Sequence, residues 1–350
     1  LGIELEDRVK LEDGAGAKES WKIIDELFLS RVPPELQKTL EGFGLDVLDD
    51  GAGVKVNDKE YLVFTTDSFT VNPPFFPGGN IGYLAAHGTL NDLVMMGAKP
   101  VAFMDTIIVE EGFLRKELNE IVSSMLGVML RERVSVVGGD FKVMPKGSID
   151  RIVITGIGIG ITDSPIIDEE IRVGDKILVT GPIAEHGAAI LASQLGMIKE
   201  TKSLRSDTKP LTKTVLPVIQ KFRKYIHAAR DPTRGGIAAT LNEWIMKKNA
   251  TILIKRQEIP IREEVKSFLE ALGVDPYSTA SEGIAVLAID PEKAEEIAEE
   301  LIRSGESSTK IVGEVITPPT EFLKGKVVAE TEVGGKILLE PKSVNLPRIC

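Results

Sequence analysis

Six aspartates stand where the chain turns or an apolar run ends. Asp49 and Asp50 precede Gly51, Asp67 follows Tyr61–Thr66, Asp92 follows Asn91, Asp140 follows Gly138-Gly139, and Asp231 precedes Pro232. A hard cation such as Mg²⁺ takes oxygen ligands and keeps room for water and phosphate. Several such carboxylates around one cleft could therefore hold a metal–triphosphate, although aspartate is also an ordinary turn residue. The glycine-bearing segments Phe75–Asn80 and Gly138-Gly139-Asp140 could offer backbone N–H groups to phosphate oxygens, but neither has the Walker spacing. Lys142 and Glu282 sit beside such turns and could face each other across a cleft or remain separate solvated charges. Cys350, the single cysteine and the last residue of the sequence, is either incidental or a tethered reactive thiol. Its terminal position argues against a place in the core.

These groups need elements to position them. Apolar spacing predicts a helix after Asp13-Gly14, carrying Trp21, Ile24, Leu27 and Phe28 on one face, and β runs at 54–56 and 61–66. Helices follow over 82–96, stopped by Gly97, and 116–131, the latter leading into the β-branched run 134–137. From Ile152 to Ile161, isoleucine or valine alternates with Gly156, Gly158 and Gly160. Period two marks a strand whose glycines meet close backbone, and the turn-like Thr162–Pro165 removes the helix that a dinucleotide loop requires. A second set comprises strand 176–180, helix 185–195, a long helical region at 210–225, helix 237–248, strand 251–255, helix 262–272, strand 284–289 and helix 292–304. The reading is α+β: an arm and helix over 1–44, mixed α/β domains over 45–165 and 166–318, and an extended tail over 319–350 with Pro341 and Pro347.

At 350 residues the chain exceeds what one core usually supports, consistent with two domains. A net charge of −11 with no basic patch speaks against nucleic-acid binding. There is neither an apolar run long enough to cross a bilayer nor a leader pattern, so no membrane partner and a cytoplasmic location are expected. One cysteine and the dispersed His87, His186 and His227 give no zinc-ligand spacing.

In order, the segments Asp49-Asp50-Gly51-Ala52, Thr66-Asp67-Ser68, Phe75–Gly82, Gly88–Leu93, Gly97-Ala98, Gly139–Val143, Glu185-His186-Gly187, Asp231–Gly236, Ser281-Glu282-Gly283 and Pro347-Arg348-Ile349-Cys350 resemble the HypE family of hydrogenase maturation proteins. That family lies within the aminoimidazole ribonucleotide synthetase (PurM-like) superfamily. The acidic loops indicate the superfamily, and the terminal tetrapeptide points to the HypE family. The chain departs from the family pattern at Asp13–Ala17, Phe141 and Ala184-Glu185.

The resemblance implies a homodimer whose N-terminal domains share a β-barrel. It also implies that ATP dehydrates an S-carbamoyl group on Cys350 to a thiocyanate, and that the cyanide is destined for [NiFe]-hydrogenase iron. A HypF-like carbamoyltransferase would load the thiol, and a HypC–HypD-like complex would receive the cyanide. The implied nucleotide site is Asp49, Asp50, Asp67, Asn91, Asp92, Gly139, Asp140 and Asp231, with Mg²⁺ on Asp49, Asp67, Asp92 and Asp231. Lys142 would stabilise charge on the phosphorylated oxygen and Glu282 would take a proton from nitrogen. Two other readings are a superfamily enzyme that phosphorylates a free amide and a non-catalytic scaffold that docks through its tail.

Overall fold

The computed structural model describes residues 8–14, 18–342 and 349–350. The altered arm residues Ala15–Ala17 and the tail residues Pro347 and Arg348 lie outside them. The first unit comprises α1 (Lys18–Leu27), β1 (Ala52–Asn57), β2 (Glu60–Phe69), the short β3 (Phe75–Phe76) and β4 (Gly79–Asn80), α2 (Ile81–Met95), β5 (Lys99–Glu110), α3 (Arg115–Glu132), β6 (Ser135–Met144) and β7 (Ile152–Thr162). Its five-stranded sheet runs β1-β2-β7-β5-β6.

The glycine alternation in β7 has a packing cause. Gly156, Gly158 and Gly160 face inward, and a Cβ on Gly156 would lie 2.1 Å from Thr89 Oγ1 of α2. Bare backbone there lets α2 lie directly on the sheet, as expected for a strand that meets close backbone. The Asn80 side chain caps α2 by accepting from the Gly82 and Tyr83 amides. Most of α2 is buried all round, because α3 and the sheet flank it and its Val94 and Met95 pack with residues of the second unit.

The second unit contains β8 (Lys176–Val179), α4 (Glu185–Gln194), α5 (Leu216–Phe222), β9 (Ile226–Arg230), α6 (Gly236–Ile245), β10 (Thr251–Lys255), α7 (Glu263–Ala271), β11 (Val286–Ile289), α8 (Ala294–Ser304), β12 (Lys310–Ile316), β13 (Lys326–Glu330) and β14 (Lys336–Leu338). Its seven-stranded sheet runs β14-β13-β10-β12-β8-β11-β9. Two expectations are corrected here. The helical region at 210–225 reduces to α5, with Pro217 in its first turn and Pro210 before it, positions proline tolerates where it would break a longer helix. The tail expected from 319 yields 326–338 to the sheet, where Val327, Val328 and Ala329 are buried.

Candidate active site

Asp67 near the end of β2, Asp92 on α2, Asp50 in the turn before β1, Asp231 after β9 and Glu282 before β11 converge between the two units. Burial is the first reason that each of these carboxyls titrates high, and mutual repulsion is another for all but Asp67. Asp231 is pushed up to about 7 by burial and by Asp67. Asp92 is raised by burial and by Asp231, Asp50 and Asp67, with the Thr65 hydroxyl donating to its Oδ2 at 2.8 Å. Asp50 Oδ2, Asp231 Oδ2 and both oxygens of Glu282 are buried without a hydrogen-bond partner. Such groups are costly unless a bound species completes them.

Sequence reasoning missed the groups that hold this cluster in place. Arg230 Nε donates to Asp168 Oδ2 at 2.6 Å and lies 3.6 Å from Asp50 Oδ1, while its Nη1 reaches Glu243 at 2.7 Å. Trp244 also donates to Asp168, and Trp21 of α1 donates to Glu243, so the arm is tied to the same network. Asp168 falls just past the boundary read at 165/166, where nothing in the sequence marks it. Asp207, pushed up to about 6 by burial, accepts from the Glu282 and Gly283 amides and fixes the Glu282 loop.

Three sets of expected site residues are placed otherwise. The Asp49 carboxylate accepts from the Asp50 and Asp168 amides, one on each oxygen, so it serves as a turn cap. Asn91 is fully buried, and its amide donates to Lys209 O and Glu282 O while its oxygen accepts from Leu211 N. It joins the two units and presents nothing to a nucleotide. Gly139, Asp140 and Lys142 lie on β6, exposed along almost its whole length, and Lys142 pairs with Asp140 at 2.7 Å instead of approaching Glu282. Register carries Asp140 through Thr106 and Thr155 to Ser68, three strand spacings or about 14 Å.

Cys350 also departs from expectation, because it is half-buried against the core of the first unit. The Thr70 amide and hydroxyl each donate to its main-chain oxygen at 3.0 Å, and His186 lies 2.8 Å from Ile349 O. Its thiol is raised by burial and by Glu282, Asp67 and Asp231, and lowered by Arg234. The thiol is therefore held among the site's own charges. Beside it, a cleft of 260 Å³ is lined by Asp50, Asp231, Thr233 and Arg234, with Trp21 and Ile24 of α1 forming a wall.

Two family models match the chain: AIR synthase related protein, N-terminal domain, over residues 48–162, and its C-terminal domain over 172–326. A carbamoyl dehydratase HypE of Bradyrhizobium diazoefficiens is 34% identical, with 98% of this chain and 96% of the relative covered. This chain belongs to the HypE family. A putative hydrogenase expression/formation protein of Methanocaldococcus jannaschii is 41% identical, with 96% of this chain and 98% of the relative covered. Among solved structures, a HypE–HypF complex matches at 33% identity and TM-score 0.82, covering 91% of this chain and 99% of the other. A HypE structure in complex with ATP matches at 34% identity and TM-score 0.77, covering 98% of this chain and all of the other (100%). Both domains are thus of the AIR-synthase type.

The donor set fits a metal-bearing nucleotide. Among the described residues, no group of three or more His, Cys, Asp or Glu could hold a metal ion alone. The partnerless oxygens of Asp50 and Asp231, amid carboxylates that repel one another, instead suit a cation that arrives with phosphate and water as its other ligands.

Proposed function

We propose that this protein is an ATP-dependent carbamoyl dehydratase that acts on a carbamoyl group carried by its own Cys350. The observation that carries this reading is the placement of the Cys350 thiol beside Arg234, Glu282, Asp67 and Asp231. Overall, Cys–S–C(=O)–NH₂ and ATP give Cys–S–C≡N, ADP and phosphate. The amide oxygen attacks the γ-phosphorus and ADP leaves, turning that oxygen into part of a phosphate leaving group. The nitrogen gives up its two protons as the C≡N bond forms and phosphate departs, while the C–S bond stays intact. Glu282, buried with both oxygens unpartnered, would take a proton from nitrogen.

Asp50, Asp67, Asp92 and Asp231 would hold Mg²⁺, which would neutralise phosphate charge. Arg234 contributes a fixed positive charge next to the sulfur, and α1 excludes water from one side of the cleft. HypF-like loading and delivery of cyanide to iron on a HypC–HypD-like complex complete the assignment, supported by family membership.

Lys142 requires a second copy in this reading. β6 is an edge strand that exposes Val137, Phe141 and Val143, and such an edge calls for a cover. A homodimer closing a barrel through β6 would cover it and could bring Lys142 to the partner's cluster.

Intact mass tests the chemistry. Wild type loaded by a verified active HypF should gain one carbamoyl group and then lose one water only with Mg–ATP, whereas Cys350→Ser should gain none. A wild type that stays unloaded, yet turns over ATP with an added free amide, would replace this proposal with a small-molecule enzyme.

A further inference from the structure

We infer that His186 is a positioning residue that seats the tail for reaction by reading its main chain, an inference that rests on the carrier role of Cys350. Two consecutive main-chain oxygens of the tail are caught from two sides. Thr70, one residue past β2, donates twice to Cys350 O, and His186 of α4 lies 2.8 Å from Ile349 O. The docked end thus ties the first unit to the second.

The hydrogen bonds around His186 select one tautomer. Burial holds the imidazole well below its ordinary titration range, at about 4, so it is neutral. Ile349 O can only accept, so Nε2 carries the proton and Nδ1 is bare. The Ser206 hydroxyl, 2.8 Å from Nδ1, then donates to it. Ser206 Oγ in turn accepts from Thr208 N at 3.1 Å and from the Thr208 hydroxyl at 2.6 Å. Ser206 is itself held by its amide, which donates to Pro77 O at 2.8 Å, and Phe76 stands edge-on to the imidazole at 5.5 Å. The ring is thereby fixed in orientation as well as tautomer.

This contact is blind to what the sulfur carries. It grips main-chain oxygens, so free, carbamoylated and cyanated tails can seat alike, and the choice of load falls to Glu282, Arg234 and the aspartates. A few hydrogen bonds, each modest in net free energy, can still release a tail that partners must reach.

Because Cys350 is the single cysteine, alkylation by iodoacetamide reads tail exposure directly. Rates would be followed by intact mass on the full chain, at one pH, and normalised to the denatured protein. Loss of a buried hydrogen bond predicts alkylation about tenfold faster in His186→Leu than in wild type. Ser206→Ala should fall between them, and His186→Gln, whose amide can still donate, should stay near wild type. A wild-type rate in folded His186→Leu overturns the inference, as does a His186→Gln rate equal to that of His186→Leu. If His186→Leu does not fold, the other two decide: a fast Ser206→Ala with a slow His186→Gln supports the role, and any other pattern overturns it.

Loading by HypF separates this inference from the proposed function. His186→Leu should load as wild type does and lose water more slowly. Equal dehydration in both would sink the latch and leave the dehydratase intact. A wild type that never loads, with the alkylation pattern preserved, would do the reverse.

Discussion

Asp231 concentrates the tension in this site. Its Oδ2 is buried without a partner, and burial together with Asp67 raises its carboxyl to about 7. A carboxyl raised in the folded state contributes stability that is complete below its unfolded pKa and lost as pH rises through the folded value. Asp231→Asn copies the neutral form at every pH. With chelator present, the variant should already be somewhat more stable than wild type at pH 5, inside the window between the ordinary carboxylate value and about 7, and its advantage should widen by roughly 1–3 kcal/mol by pH 8. The same variant should lose the stabilisation by Mg–ATP and the ATP-dependent loss of water. Thermal melts at the two pH values check the first part, and a variant less stable than wild type at pH 8 would refute it. The structure brings several of the expected carboxyls together here. Asp50, Asp67, Asp231 and Glu282 stand at loop and strand-end positions that aim side chains into clefts, whereas Asp92 lies within α2 and is marked only by the motif around it. Asp49 shares that signature, and only coordinates reveal that two amides occupy its oxygens. Asp168, Arg230 and His186 each make a defining contact with distant chain, Asp168 with Arg230, Arg230 with Leu48 and His186 with Ile349, and local pattern carries no such information.

Elements with a clean period were readable, and elements defined by neighbours were not. α2 and β7 follow from helical spacing and strict alternation. β5, the strand next to β7, escapes because Pro100, Asp105 and Thr106 break its alternation, and its identity comes from pairing with β6 and β7. β13 escapes because it runs parallel to β10 within the second sheet, a pairing fixed by distant chain. The helix layer of the first unit has a similar hidden dependence. A Cβ on Gly82 of α2 would stand 2.2 Å from Ile121 O of α3, so the two helices approach through that glycine. Because the obstacle is backbone, one helix must shift. Gly82→Ala should cost about 2–3 kcal/mol, measured as a lower denaturation midpoint with an unchanged slope. An unchanged midpoint would mean that the α2–α3 contact is looser than its geometry indicates.

At the scale of the whole molecule, the unsolved placement is that of Lys142. It pairs with Asp140 on an edge strand, three strands from the row that contains Ser68, while Glu282 lies buried between the units. One chain therefore holds the two expected catalytic side chains apart. A two-fold dimer through β6 would cover Phe141 and Val143 and could supply Lys142 across the interface. Phe141→Asp would place a charge on that seam and should shift the protein from dimer to monomer in sedimentation. Complementation tests the stronger claim. Lys142→Ala and Glu282→Gln should each be nearly inactive as pure proteins. When equal amounts are dissociated and reassociated at random, half of the dimers are mixed, and each mixed dimer has one site with both native side chains, returning about a quarter of wild-type dehydration. If Lys142 serves the site of its own chain, every site in the mixture retains a defect and nothing returns. The recovered fraction thus distinguishes a catalytic group shared between copies from one that must reach Glu282 by a rearrangement within a single chain.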